Sequence, residues 1–503
     1  MNCSVFEKKL TKNFFVCSTL LSVLKTSKGS FLLYSLPTGT MSIALLPYQE
    51  EAVQWLQDHE KTCAILAYDM GLGKTVVSCA LIARSTSVSA VGHSKTLVIA
   101  PSCILSQWSA ELSKHVPHAQ NVVYHGANRK AIRKKMHDAN IIITTPHVLA
   151  HDISNKNDPE IAAFLSSIQR WIIDEAHQLR NNGCRVYKTL CAYAPKVEKK
   201  IFLTGTPICN NPTDIISLIC LSNLAEYNDT GYWKHMRYAK RLTALEKIVP
   251  DVLLRKTKAD TIASLLPNII THNISLIMDK GEQRDVYNSF LGDDVILRRI
   301  LRMRQALGNH VHLCDDDKCL ETAIKISTVN KIIANIPDTD KIIIFSYFTT
   351  LLTDLYENID TIEKSHICVY HGEMNINTRN KTIKKFREDP STRILLINLR
   401  AGGCGLNLIE ANHVILMEPY WNESEQQQAI NRVYRLGQKK EVSVYRLQIK
   451  NSIETWLHSM QKVKDDLSKL LIDKADISVT DIITEKQNVK MLFQDVAVGI
   501  QDE

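Results

Sequence analysis

The chain predicts an α/β protein built as two parallel-sheet lobes. Three observations carry that expectation. Short apolar runs alternate with helical patterns twice along the sequence, a glycine-rich turn follows the first of those runs, and a pair of carboxylates follows a later one. With 503 residues, 45% hydrophobic and 23% charged, the chain is long enough for two or three packed domains and has the composition of a globular protein.

The first apolar run, Ala64-Ile65-Leu66-Ala67, leads into Asp69-Met70-Gly71-Leu72-Gly73-Lys74-Thr75. This stretch reads as a phosphate cradle. Backbone N–H groups of a tight turn opening onto a helix N-terminus surround phosphate oxygens only where side chains do not intrude, and Gly71 and Gly73 leave that space. Lys74 then reaches the β- and γ-phosphates as a point charge, and the Thr75 hydroxyl binds Mg²⁺. Val76, Val77, Ala80, Leu81 and Ile82 carry the helix that follows. The general pattern wants one more glycine, five residues before Gly73, where this chain has Tyr68. Upstream, Leu46-Pro47-Tyr48-Gln49 offers in Gln49 an amide suited to the two-sided hydrogen bonding of adenine.

Further on, the buried-strand signal Trp171-Ile172-Ile173 runs into Asp174-Glu175-Ala176-His177. Two carboxylates thus stand at the carboxyl end of a strand, where open α/β sheets bind their ligands. Asp174 is the candidate Mg²⁺ ligand, and Glu175 the residue that orients an attacking water. Leu203-Thr204-Gly205-Thr206-Pro207 places hydroxyls on a turn able to sense a γ-phosphate.

Strand signals near Cys63–Leu66, Thr96–Ala100, Ile141–Thr144, Trp171–Ile173 and Ile201–Thr204 build the first lobe. Those near Lys341–Phe345, Ile367–Tyr370, Arg393–Ile397, His413–Met417 and Ser443–Leu447 build the second. Between Asn223 and Thr328 the strand signals fade, and charged, helix-compatible sequence dominates.

The order of these motifs, completed by Arg400-Ala401-Gly402-Gly403-Cys404-Gly405-Leu406-Asn407-Leu408 and by Gln428-Ala429-Ile430-Asn431-Arg432-Val433-Tyr434-Arg435-Leu436-Gly437-Gln438, resembles the Snf2 family of superfamily 2 ATPases. Val98-Ile99-Ala100-Pro101 with Trp108, Ile143-Thr144-Thr145-Pro146, Leu253-Leu254-Arg255-Lys256-Thr257-Lys258, Arg302-Met303-Arg304-Gln305 and Ile343-Ile344-Phe345-Ser346 extend the likeness over residues 43 to 453. The resemblance implies two RecA-like lobes, at 41–222 and 329–460, separated by a helical insertion and linker at 223–328. An N-terminal extension, 1–40, and a helical tail, 461–503, flank them.

The resemblance further implies an ATP site split between lobes. Lys74, Thr75, Asp174 and Glu175 lie on one side, the arginines Arg432 and Arg435 approach from the other, and Gly405 and Gln428 contact the nucleotide. By the same likeness Pro101, Ser102, Thr145, Ser346, Arg400 and Gly402 line a DNA groove. The implied function is a DNA-stimulated ATPase, using ATP and Mg²⁺, that translocates on double-stranded DNA and remodels or displaces protein–DNA complexes to modulate transcription. Such a motor works in the nucleus, as a monomer, on nucleoprotein or transcription complexes and away from membranes. A strand-separating DNA or RNA helicase and a non-catalytic transcription factor on the same scaffold are the rival expectations. Several positions depart from the family pattern: Tyr68 and Asp69 replace an acidic pair, Leu46 replaces a basic residue, Leu399 replaces Thr, Asn431 replaces Asp, Tyr434 replaces the frequent His, and Gln426 replaces Glu.

Composition adds little to this. The net charge of +8, from 61 basic and 53 acidic residues, is too small an excess to predict nucleic-acid binding by itself. The densest basic stretch, Arg129 to Lys135, reads first as an exposed helix face and second as a phosphate contact or import signal. Thirteen cysteines, an odd number scattered along the chain, fit reduced thiols rather than a disulfide framework. His310, His312, Cys314 and Cys319 are the nearest approach to a zinc set, but Asp315, Asp316 and Asp317 favour an acidic loop. Residues Phe14 to Leu24 superficially resemble a signal peptide and read better as a helix on the first lobe or an extension. No apolar run reaches membrane-spanning length.

Overall fold

The computed structural model describes residues 44 to 471, except 89–94, 156–157, 209–212, 279, 293–294, 314–321, 403–405 and 470. The expected N-terminal extension and most of the expected tail lie outside the described residues.

Two all-parallel sheets form the framework. The first contains β1 (Ala64–Tyr68), β2 (Lys95–Ile99), β3 (Asn121–Val123), β4 (Ile141–Thr144), β5 (Ile168–Ile173), β6 (Lys199–Leu203) and β7 (Leu253–Lys256), in the order β3-β4-β2-β5-β6-β1-β7. The second contains β8 (Ile269–Leu276), β9 (Ile342–Ser346), β10 (Ile367–Tyr370), β11 (Ile394–Asn398), β12 (His413–Leu416) and β13 (Val442–Ile449), in the order β10-β11-β9-β12-β13-β8.

Each central strand is a near-continuous apolar run because helices cover both faces of its sheet. Along β1, Ile65 and Ala67 enter one core while Ala64, Leu66 and Tyr68 enter the other. Along β9, Ile342 and Ile344 face one core of the second lobe, and Ile343 and Phe345 the opposite one. This period-two division follows from the pleat. Each lobe also encloses an ion pair. Arg170 and Glu60 meet at 2.7 Å in the first, with 2% and 5% side-chain exposure, and Lys325 and Glu454 at 2.5 Å in the second, with 0% and 1%.

The stretch read as free of strands carries two. β7 pairs with β1 and β8 with β13, each at a sheet edge. β8 escapes a sequence reading because Ile269 and Ile270 are 39% and 41% exposed and its remaining residues are mostly polar. The short edge strand β3 is also additional to the sequence reading. The helices of this stretch divide between the lobes. Tyr238–Val252 buries Leu242, Leu245 and Ile248 in the first, whereas Glu282–Ser289 and Ile296–Gly308 pack Tyr287, Ile300 and Met303 with Ile449 and Ile453 of the second. The connection from lobe to lobe therefore runs from the end of β7 to the start of β8. A second link follows the helix Ile453–Ser468, beyond which Leu471 is buried in a core cluster of the first lobe.

Candidate nucleotide site between the lobes

The phosphate loop leaves the end of β1 and turns into the helix Lys74–Val88 through Gly71 at φ 90° and Gly73 at φ 84°. Only glycine occupies that left-handed region without strain. A side-chain carbon added at Gly73 falls 2.5 Å from Gln49 Nε2. Gln49 itself is engaged by backbone: Oε1 accepts the Leu46 N–H at 3.0 Å, and Nε2 donates to the Leu72 carbonyl at 3.2 Å. Its amide thus braces the loop. Leu72 points its side chain into the core, and Met70 Cγ lies 3.3 Å from the position of a carbon added at Gly205.

Lys74 folds back on its own loop, with Nζ donating to the Tyr68 carbonyl at 2.7 Å and the Asp69 carbonyl at 3.3 Å. Burial pushes its ammonium down, and the carboxylates of Glu175, Asp174 and Asp69 oppose that shift. Thr75 is half-buried one residue further along the helix.

Asp174 follows β5 and is held on both oxygens. Oδ1 accepts the Glu175 N–H at 2.8 Å, and Oδ2 accepts the Trp108 indole N–H at 2.8 Å. Burial, aided by the charge on Glu175, raises its carboxyl from 3.8 to about 6. Glu175 has a left-handed backbone, φ 48° and ψ 47°, a conformation of the kind that costs about 1–3 kcal/mol in a non-glycine residue. Its Oε2 is buried without a hydrogen bond, 3.4 Å from His177 Nδ1. The same Nδ1 lies 3.1 Å from Thr204 Oγ1, which in turn accepts the Thr206 N–H at 3.0 Å. Burial lowers His177 to about 4, so a neutral imidazole links the Thr204–Pro207 turn to Glu175.

Asp69 faces away from the cradle. Its Oδ1 pairs with Arg255 Nη2 at 2.8 Å, and its Oδ2 accepts the Lys258 N–H at 3.0 Å. Arg255, on β7, also donates to the Ala67 carbonyl at 2.7 Å and to the Gly205 carbonyl at 3.4 Å, joining β1, the phosphate loop and the Thr204–Pro207 turn. Trp108, Arg255 and Lys258 all fall in stretches with a sequence signal, yet their partners are 50 to 189 residues away and unreadable from it.

From the second lobe, Arg435 Cβ lies 3.6 Å from the position of a carbon added at Gly71. Burial and the nearby charges of Arg432 and Arg387 lower the Arg435 guanidinium from its ordinary value. Arg432 is buried, and its carbonyl accepts the Leu408 N–H at 3.0 Å. Gln428 lines two interlobe cavities. One, of 660 Å³, reaches Asp69, Gly205 and Lys258; the other, of 550 Å³, reaches Glu175 and Arg400. Its Nε2 is buried with no hydrogen bond, a donor left without a partner at the boundary of the lobes. Gly405 lies outside the described residues.

The six candidate groove residues split. Pro101 and Arg400 line the 550 Å³ cavity, with Arg400 stacked 4.6 Å over the Tyr347 ring. Ser102 is exposed, and Gly402 ends the helical turn Leu399–Gly402 after β11. Thr145 and Ser346 turn inward: the Thr145 hydroxyl caps the helix Pro146–Ser154 by accepting the Val148 N–H at 3.3 Å, and that of Ser346 donates to Glu418 Oε1 at 2.9 Å. These two positions bring backbone, not hydroxyls, to the strand ends.

No three His, Cys, Asp or Glu side chains cluster as a metal site among the described residues. Mg²⁺ needs no such cage, because one carboxylate and substrate phosphates commonly hold it. For the zinc set, Cys314 and Cys319 lie outside the described residues, while His312 pairs with Asp354 and His310 lies 3.8 Å from Glu282. No described helix is long and apolar enough to cross a membrane.

A phosphate loop on one parallel-sheet lobe, met by an arginine segment from another, defines a two-lobed ATPase core of Snf2 type. The chain belongs to the SNF2-related domain family, which matches residues 48–387. It is 27% identical over 481 residues to the probable global transactivator of Orgyia pseudotsugata multicapsid polyhedrosis virus, covering 87% of this chain and 93% of that protein. To the TATA-binding protein-associated factor MOT1 of Saccharomyces cerevisiae it is 26% identical over 547 residues, covering 90% of this chain and 29% of that one. To the ISWI chromatin-remodeling complex ATPase ISW2 of the same yeast it is 27% identical, covering 87% and 42%. The chain therefore spans less than half the length of these two cellular relatives. The solved Sulfolobus solfataricus SWI2/SNF2 ATPase core in complex with dsDNA shares 26% identity, covers 94% of this chain and 100% of that one, and superposes with a TM-score of 0.41.

Proposed function

We propose that this protein is a DNA-stimulated ATPase that translocates on double-stranded DNA and displaces or remodels protein–DNA complexes, thereby modulating transcription. The observation that carries the reading is Arg435 of the second lobe packed against Gly71 of the phosphate loop. An ATP site completed only when the lobes meet makes hydrolysis responsive to whatever draws them together. Relatives described as a TATA-binding protein-associated factor and as a chromatin-remodeling ATPase support DNA-bound complexes as the setting.

In this mechanism Lys74 leaves the Tyr68 and Asp69 carbonyls to bind the β- and γ-phosphates, and Gln428 meets the nucleotide from the second lobe. Thr75 and Asp174 would hold Mg²⁺, which would supply charge neutralisation to the phosphates. Glu175 orients the attacking water, with the neutral His177 ring beside its carboxylate and held by Thr204. Arg432 and Arg435 stabilise charge on the transferring group, a contribution of roughly 10³- to 10⁵-fold in related phosphoryl-transfer systems. Duplex DNA lying across the strand ends of both lobes favours the closed arrangement, and product release reopens it. Its contacts go to phosphate and sugar, so sequence preference is low. We place the protein in the nucleus, the host cell's if the chain is viral, and expect a monomer.

The test compares hydrolysis stimulated by duplex DNA, single-stranded DNA and RNA, alongside triplex displacement and fork unwinding. Stimulation by duplex with triplex displacement is expected, and Lys74→Ala and Arg432→Ala should abolish it, the latter with ATP binding retained. Unwinding without triplex displacement would install the helicase reading instead. Hydrolysis by Lys74→Ala at the unaltered rate would end the assignment altogether.

A further inference from the structure

Lys258 begins the short helix Lys258–Thr261 just after β7, yet its ammonium belongs to the second lobe's arginine segment. Its Nζ donates to Asn431 Oδ1 at 2.6 Å and to the Tyr434 carbonyl at 2.5 Å, and lies 5.1 Å from the centre of the Tyr434 ring. Its own N–H is bound by Asp69 of the phosphate loop, and its Cε sits 3.8 Å from the position of a carbon added at Gly71. The residue is 7% exposed and lines the larger interlobe cavity.

We propose that Lys258 is a positioning residue that clamps the peptide carrying Arg435 against the phosphate loop, and thereby sets the register between the two halves of the ATP site.

The argument is geometric. The Tyr434 carbonyl and the Arg435 nitrogen share one planar peptide unit that ends at the Arg435 Cα, so fixing the carbonyl fixes where that Cα stands against the phosphate loop. Lys258 and Arg435 approach Gly71 together, which places clamp and clamped residue beside the same turn. The backbone end of Lys258 is tied to Asp69 and the ammonium end to Asn431 and Tyr434, so one side chain spans the boundary and is anchored at both ends. In this chain Asn431 stands where the family pattern has Asp, so the acceptor is a neutral amide and the clamp has no ion pair across the boundary. Burial pushes the ammonium down to about 7, opposed by the Asp69 charge and aided by those of Arg435 and Lys74. A contact of this kind holds Arg435 in place and still releases when the lobes part.

The proposal rests on the functional reading above for the role of Arg435. Lys258→Met keeps the stem and removes the ammonium, and Asn431→Leu removes an acceptor from the opposite side. Each is expected to lower kcat with duplex DNA by about tenfold to a hundredfold, the scale of a small misplacement of a reacting group. The KM for ATP should stay within about twofold, marking a loss felt in the transition state. Lys258→Met should add little to Arg435→Ala, because residues acting as one unit are not additive. Asn431→Asp, which gives Lys258 an ionic partner, should keep kcat near the unaltered value. In small-angle scattering of the nucleotide-free chain, Lys258→Met should increase the radius of gyration. Where Lys258→Met does not fold by thermal melt, Asn431→Leu carries both the kinetic and the scattering comparison.

Unaltered kcat and scattering in Lys258→Met or Asn431→Leu, or full additivity with Arg435→Ala, overturns the clamp. A natural chain that hydrolyses no ATP overturns the functional reading instead, and the scattering comparison still decides for or against Lys258.

Discussion

Trp108 donates its indole N–H to Asp174 Oδ2 across 2.8 Å, joining the helix Leu105–His115 to the carboxylate at the end of β5. The indole is 1% exposed and the carboxylate half-buried. The bond fixes the orientation of the one carboxylate proposed to hold Mg²⁺.

Replacing Trp108 with Phe keeps much of the packing and removes that bond. The Mg²⁺ concentration giving half-maximal hydrolysis should rise about tenfold, the lower end for loss of a residue that orients a metal ligand. A Mg²⁺ titration of the ATPase rate checks this, and an unshifted midpoint would separate Trp108 from the role of Asp174.

Asp174, proposed as the Mg²⁺ ligand, is held at a cost in stability. Its folded-state carboxyl, raised from 3.8 to about 6, makes the ionised form a destabilising element at neutral pH. That penalty is fully present above the folded value and fades as pH falls towards the unfolded one. Asp174→Asn should therefore raise the stability of the nucleotide-free protein at pH 7 by about 1–2 kcal/mol, after allowing for one of its two hydrogen bonds. Thermal melts at pH 7 and pH 4 provide the measurement, and the advantage should disappear at the lower pH.

Gly73 and Gly126 both have positive φ, 84° and 87°, but only Gly73 is crowded, by Gln49. Alanine at either position incurs a backbone cost of about 1–2 kcal/mol. Gly73→Ala should additionally push Gln49 off the Leu72 carbonyl and weaken nucleotide binding by about tenfold or more. Titration with a fluorescent ATP analogue should show wild-type affinity for Gly126→Ala and a clear loss for Gly73→Ala.

Lys325 and Glu454 are paired out of water in the second lobe. Lys325→Met strands a buried carboxylate and should cost about 3–5 kcal/mol, whereas Lys325→Met combined with Glu454→Leu should recover most of it. Urea unfolding followed by second-lobe fluorescence tests both, and a double variant no better than the single would refute the pairing as the cause.

Central strands were legible because burial on both faces demands uninterrupted apolar runs such as Ile342–Phe345 and Ile394–Ile397. Edge strands were not, because β7 ends in Arg255 and Lys256 and β8 carries Thr271, His272 and Asn273, residues that also suit loops. The candidate chemistry-bearing residues stood out by type and spacing, as with Lys74 and Asp174, which the fold brings near one another. Their supports did not: nothing local in Trp108 or Arg255 reveals a partner on a distant turn. Gln49 shows the reverse limit, since an amide free on paper is occupied by Leu46 and Leu72 in the fold.

Leu471, beyond the last helix of the second lobe, is seated among the apolar residues of the first. With the 257–268 connection, the polypeptide crosses the boundary at two separate points, like a door hung on two pins. In the proposed mechanism such a door would swing about the line through its pins without wandering, and the two halves of the site would meet along one path. Pulling Leu471 from its seat would leave a single pin, and the proposed stroke would lose its direction before it lost its power source.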